Sequence, residues 1–396
     1  MIRSTRNIGA LIFFISIHIV TLAQDKEAQF PGLLQNAYAG FQMGYIHTAF
    51  THEHLEPGFS AAGVKTPALG VRIVAGYRFS DHLSAQISFM RPGPWTEYIN
   101  INGDNKRYGV WMTIGGVTIK PSINVSKSFK IYGEAGFGLV ARHGFKIDEQ
   151  TAIADASFAS LLLGGGMEYD LNRNWDLTLN GVYNPKDGKR RHPYTSFFSV
   201  GANYKLNKLS DQKVKRNSGG GVTFPDHMIQ LGISHNIVGY DANRFFSSKV
   251  PIFWGGEVKS KYGFVLAYQR NVFHTRRIFS LNWGADISYW RTVHGSNFFS
   301  LAVFPMFRFT LLRSRPLDGY LQYSVAGPAF VSKRFIDGFD TGRKFTFQDL
   351  MGAGFFTGKK KNLSIEFMLG HYSNGNIFPR NAGIMLPLQL NLGYCW

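Results

Sequence analysis

The feature that most restricts this chain is a side-chain period of two, repeated along nearly its whole length. In residues 298–311, Phe299, Leu301, Val303, Phe307 and Phe309 share one parity, and Ser300, Ala302, Arg308 and Thr310 share the other. Alternate side chains of a strand point to opposite faces, so each such run reads as a strand with one apolar and one polar face. In residues 130–140 glycine gathers on one parity, as expected where inward side chains crowd a narrow barrel. Glycine (44) and aromatic residues (15%) are frequent and charged residues (17%) are few. Apolar matter spread as alternation rather than in blocks excludes a helical membrane protein and points to a barrel whose apolar face meets lipid.

Turn signals separate eight runs in the first half, near 38–50, 69–79, 83–90, 108–119, 129–141, 158–169, 175–183 and 196–206. Residues 207–221 break the pattern. They are polar and basic and end in three glycines, the composition of a flexible linker. Runs resume near 228–235, 251–258, 263–269, 278–289, 298–311, 319–331, 346–356, 362–373 and 386–396. That is one run more than eight, so two of the early ones are expected to be a single broken strand. The fold class is all-β: two tandem antiparallel eight-stranded transmembrane β-barrels, over residues 24–206 and 222–396. The alternative is one larger barrel of about sixteen strands. An eight-stranded barrel is filled by its own side chains rather than open as a pore.

The N-terminus has the form of a signal peptide over residues 1–23. Arg3 and Arg6 precede a short apolar stretch, 8–20, and Thr21, Leu22 and Ala23 fit a cleavage site. The apolar stretch is too short to span a bilayer comfortably. Export without a later membrane helix suits a Gram-negative outer membrane. One cysteine, Cys395, rules out an internal disulfide. The net charge of +18 reads as solvated loops, because a nucleic-acid partner is at odds with export. His47, His52, Glu53 and His54 cluster at a strand end with no clear fourth ligand, so a solvated loop is expected there rather than a metal site.

Chemistry concentrates in the last hairpin. Leu363, Ile365, Phe367, Leu369, His371 and Ser373 share one parity, and Leu386, Leu388, Leu390, Leu392, Tyr394 and Trp396 share a face of the return strand. If that parity faces lipid, His371 and Ser373 face lipid too, near the rim. Their Cα atoms lie about 7 Å apart along a strand. A His/Ser pair facing hydrocarbon is a poor structural choice and a good one for chemistry on a lipid.

His371, Tyr372, Ser373 and Asn374, with Pro379, Asn381 and Gly383 of the following loop, resemble the signature of the PagL-type lipid A deacylases. The resemblance implies an eight-stranded outer-membrane barrel and a serine esterase that removes an ester-linked acyl chain from lipid A of lipopolysaccharide. It implies His371 as general base, Ser373 as nucleophile and Asn374 as an oxyanion donor, with no metal or organic cofactor. The first half carries no such signature and resembles a generic outer-membrane barrel.

One departure stands out. Where the family has a glutamate that orients the histidine, this chain has Met385, and nothing acidic follows it. If the turn after Thr357 is centred near Lys359, Phe347 faces His371 and Asp349 faces Leu369, diagonal to the histidine and on its face. Asp349 is therefore expected to supply the orienting acid. Lys333, Arg334, Arg343, Lys344 and Arg380 fall in the loops on the same side as His371. They are expected to hold lipid A phosphates, against the plainer reading of solvated loop charge. Lipopolysaccharide and outer-membrane lipids are the implied partners, and no feature gives an oligomeric state. The alternative function is a non-catalytic barrel that binds lipid A or serves structure or assembly, with a passive porin third.

Overall fold

The computed structural model describes residues 28–396 apart from 221, 223 and 250–254. The signal peptide expected over residues 1–23 lies outside the described residues. In the first half the alternating runs form β1 (Ala37–Thr48), β2 (Leu69–Ser80), β3 (Leu83–Pro92), β4 (Arg107–Asn124), β5 (Phe129–His143), β6 (Ala156–Asp170), β7 (Trp175–Asn184) and β8 (Thr195–Lys205). Each pairs antiparallel with its chain neighbours, and β1 pairs with β8 from Tyr38↔Lys205 to Thr48↔Thr195, which closes the ring.

The second half repeats the plan with β9 (His227–His235), β10 (Val258–His274), β11 (Phe279–Thr292), β12 (Asn297–Arg313), β13 (Leu317–Val331), β14 (Phe345–Thr357), β15 (Leu363–Ser373) and β16 (Gln389–Cys395). This ring closes where β9 pairs with β16, Met228↔Cys395 among the partners. Two closed rings exclude the single larger barrel. The surplus run near 251–258 is not a separate strand: Val258 opens the long β10, and residues 250–254 lie outside the described residues. The stretch expected to be a flexible linker instead holds a helix, α1 (Asp211–Ser218). Its Ser210 hydroxyl accepts from Lys213 N–H at 3.4 Å, Asp211 sits in the first turn, and Lys215 and Arg216 sit in the last. These are capping and dipole signals that composition alone overlooks.

The alternation sorts side chains as its period demands. Ile73, Ile87, Val117, Phe137, Phe198 and Val200 stand exposed on the first barrel, and Phe299, Leu301 and Val303 on the second. Among the described residues no helix is long and apolar enough to cross a membrane. Both lumens are filled by paired polar groups. In the first, Arg72 pairs with Glu134, and Lys120 lies 2.5 Å from Glu168. In the second, Glu366 takes a hydrogen bond from Tyr320 at 2.6 Å, and Arg308 donates to Gln322 and Gln269. Gly263 makes room for the buried Trp290 ring, which a Cβ would strike. A cavity of about 20 Å³ remains in this lumen, consistent with a packed eight-stranded interior.

The barrels touch at both ends. Phe30 stacks on Phe273 with centroids 4.2 Å apart at the short-turn end. At the long-loop end Arg380 reaches Asp155, 2.8 Å away.

Candidate functional site

The register of β14 on β15 differs from the expected one by two residues. Thr357 pairs with Leu363, so Met351 faces Leu369, Asp349 faces His371, and Phe347 faces Ser373. A shift of two keeps every side chain on its face, whereas a shift of one would have turned Asp349 into the lumen. The displacement brings the carboxylate directly opposite the histidine, with Asp349 Oδ2 at 3.7 Å from His371 Nδ1.

The other carboxylate oxygen is also held. In β13 the pairing with β14 jumps between Ser324 and Gly327, so Val325 and Ala326 bulge opposite Asp349. Ala326 adopts φ 52°, and its N–H donates to Asp349 Oδ1 at 2.7 Å. A non-glycine residue in the left-handed region costs about 1–3 kcal/mol, and such strain gathers where it aims a group. Here it aims a backbone donor at the acid.

His371 keeps the outward parity expected of it but does not meet lipid: it is 1% exposed. Its Nε2 lies 2.8 Å from the Gly255 carbonyl oxygen. Asn243, on α2 (Asp241–Lys249), donates to the Gly370 carbonyl beside it at 3.3 Å. On the side away from Asp349 a short ladder pairs His371 with Met385. Gly383 is tightly constrained, because a Cβ there would lie 2.9 Å from His371 Nε2 and 2.7 Å from Gly255 O. The covering strand and loop replace the lipid that alternation alone puts against the pair.

Ser373 is half-buried at the end of β15, on the same parity as His371. Tyr372, between them, points into the lumen, where Ser300 at 2.7 Å and Gln348 at 3.1 Å fix its hydroxyl. Asn374 departs from its expected role. Its Nδ2 donates to the carbonyls of Thr341 at 3.0 Å and Arg380 at 2.5 Å, and its N–H donates to Asn381 Oδ1 at 2.8 Å. Both amide hydrogens are committed to backbone, so the side chain ties two loops together instead of offering an oxyanion donor. Gly342 lies against this knot at φ 92°, and a Cβ there would strike Arg380 O and Asn374 Nδ2.

The five loop cations are all exposed, but they are not equivalent. Arg334 is paired with Asp340 through two bonds, 2.7 and 2.5 Å, and Arg380 is turned toward Asp155 of the first barrel. Both guanidiniums thus already have a carboxylate partner, which the other three cations do not show. Lys333 donates to Asn297 at 2.9 Å, Arg343 lies over Phe378, and Lys344 over Phe330. In the first barrel His54 Nδ1 takes the Thr51 N–H at 2.9 Å, and among the described residues no group of three or more metal-ligating side chains is assembled. Sequence reasoning missed Ala326, Gly255 and Asp155. Only the Ala326, Gly327, Pro328 sequence, a break in the alternation of β13, signals the first of these.

Comparison with known proteins follows the same division. Residues 10–206 match the family model described as outer membrane protein beta-barrel domain. Two closed antiparallel rings define a tandem β-barrel fold, and the first of them carries this match. Residues 262–394, which hold the His371 strand, match the model described as lipid A 3-O-deacylase (PagL). The C-terminal half thus resembles the PagL-type deacylases in sequence. Among solved structures, the outer membrane enzyme PagL aligns at 17% identity over 42% of this chain and 98% of its own, with TM-score 0.30. Neisserial surface protein A aligns at 19% over 43% and 97%, with TM-score 0.29. The attachment invasion locus protein Ail of Yersinia pestis aligns at 17% over 43% and 98%, with TM-score 0.28. No curated protein matches the chain.

Proposed function

We propose that the second barrel is a serine esterase that removes an ester-linked acyl chain from lipid A. Ser373 is the nucleophile, His371 the base and Asp349 the acid that orients it. The observation that carries this reading is the Asp349↔His371 pair: an outward carboxylate, clamped by a strained backbone N–H, set opposite the one outward histidine of β15. A carboxylate on a barrel's outer face is costly without a partner, and a purely structural role leaves the pair unexplained. The family match names a 3-O-deacylase, so the 3-O-linked chain is the proposed bond. Residues 1–23 are proposed as the signal for export.

In the reaction Ser373 Oγ attacks the ester carbonyl carbon while His371 Nε2 takes its proton. His371 then returns that proton to the departing sugar oxygen, leaving an acyl-serine that water hydrolyses by the same route in reverse. In the reacting form Asp349 takes the Nδ1–H and so keeps the lone pair on Nε2. The 3.7 Å separation is longer than a hydrogen bond, as is common before substrate binds. The Gly255 carbonyl at Nε2 suits an Nε2–H donor, so this contact must open before Nε2 can act as base. Lys333, Arg343 and Lys344 are the proposed phosphate contacts, since Arg334 and Arg380 are already neutralised.

The test is purified protein incubated with lipopolysaccharide. Free hydroxy fatty acid should appear, with ester-linked chains lost and amide-linked chains kept. Folded protein that releases no fatty acid would overturn the proposal.

A further inference from the structure

We propose that the first barrel is a positioning module for the signature loop of the second. Thr113, Ala141 and Asp155 are its positioning residues. The inference deepens the esterase reading and rests on it for its kinetic arm alone.

The first observation is a local failure of the alternation. On β4 the outward Val117 and Ile119 are 63% and 56% exposed, yet the outward Thr113 is 1% exposed. On β5 the outward Phe137 is 68% exposed, yet the outward Ala141 is 3%. Thr113 and Ala141 are cross-strand partners, so one small-residue rung of an otherwise lipid-type face is covered. Asn376, Phe378 and Pro379 cover it, leaving about 10 Å³ between the surfaces, no more than one water needs.

The second observation is polar. Thr113 Oγ1 donates to the Asn376 carbonyl at 2.5 Å. Arg380 Nε meets Asp155 Oδ2 at 2.8 Å, while Asp155 Oδ1 lies 2.9 Å from His143 Nδ1 and takes the Gly144 N–H at 3.0 Å. Burial works against ionisation of Asp155, but His143, the Gly144 N–H and Arg380 outweigh it and hold the carboxyl below its ordinary range. A small apolar seat and a fixed anion therefore grip the two ends of one loop.

That loop leads straight into the site. Asn381 Nδ2 donates to Asn376 Oδ1 at 2.9 Å, Asn374 N–H donates to Asn381 Oδ1 at 2.8 Å, and Asn374 adjoins Ser373. A continuous chain of bonds runs from Thr113 in one barrel to the proposed nucleophile in the other. Misplacing a reacting group by about 1 Å can cost a hundredfold, so a seat far from the chemistry can set the rate.

The experiment uses the full chain. Ala141→Trp puts an aromatic ring at an outward rim position, where barrels tolerate one, and wedges the loop off its seat. It should lower kcat about ten- to a hundredfold with little change in KM and with both barrels folded. Asp155→Arg should cost about two- to fivefold, and adding Arg380→Asp should restore the rate. Wild-type kcat in both single variants would overturn the inference. Tryptic cleavage after Arg380, followed by mass, gives a readout independent of activity. Faster cleavage in Ala141→Trp than in the wild type is expected, and equal cleavage overturns the inference even if the wild type releases no fatty acid and the esterase reading falls.

Discussion

Asp349→Asn is expected to lower fatty-acid release about 10⁴-fold while leaving the barrel intact. Asparagine keeps the shape, and its Oδ1 can still accept the Ala326 N–H, which donates to Asp349 Oδ1 at 2.7 Å. Its amide nitrogen then faces His371 Nδ1. An N–H donor there forces the proton onto Nε2, the nitrogen that must be bare to deprotonate Ser373. The loss is one of tautomer, not of fold. The same geometry predicts a rescue. Met385 pairs with His371 from the opposite side, at the position where the resemblance has glutamate. Met385→Glu in the Asp349→Asn background should recover at least about tenfold, because turning the imidazole over, so that Nδ1 faces the Met385 side where Nε2 now lies, gives Nδ1 an acceptor again. Full activity in Asp349→Asn would remove Asp349 from the mechanism. A double variant as slow as the single would mean that the two sides of His371 are not interchangeable.

Arg308→Leu is expected to destabilise the second barrel by about 3–5 kcal/mol, read as a lower unfolding temperature in detergent. Arg308 is 3% exposed and Glu366 is fully buried, 3.6 Å apart. The guanidinium also stacks over the Tyr320 ring at 4.8 Å and the Phe356 ring at 5.2 Å. Removing it leaves the Glu366 carboxylate, among the described residues, with Tyr320 at 2.6 Å and Asn391 at 3.5 Å for partners. An uncompensated charge in a packed lumen is the costly case, whereas removing both charges is often tolerated. Adding Glu366→Gln should therefore recover most of the lost stability. A single variant that unfolds with the wild type would show that the lumen ion pair contributes little.

Much of this fold is written in the chain because a period of two is a local property. Each run in the first half carries its own strand and its own inward face, and the polar break at 207–221 marks the division. What the alternation could not supply was register. The residues between Thr357 and Leu363 form a wider turn than the expected one centred on Lys359, with Gly358 at φ 91° and Lys361 at φ 56°. Asp349 keeps the expected face because a displacement of two preserves parity.

Burial of the site was not legible at all. His371 has the outward parity of a lipid-facing residue, and only the Gly255 carbonyl and the Met385 ladder, distant in sequence, reveal that it is covered. Arg380 illustrates the same limit. Its sequence position suggests a phosphate contact, and its partner is a carboxylate in the other barrel. The helix α1 was readable from Ser210 and Asp211 through their capping positions, against a composition that suggests only a linker.

The most direct test of the central claim is the mass spectrum of lipid A from a Gram-negative host expressing this protein or its Ser373→Ala variant. Folding of each in the outer membrane is verified alongside. The wild type should shift lipid A down by the mass of one hydroxyacyl chain, and the variant should leave it unchanged. Unchanged lipid A with both proteins, in a host whose lipid A carries the ester-linked chain, would contradict the esterase and favour a barrel that only binds lipid A.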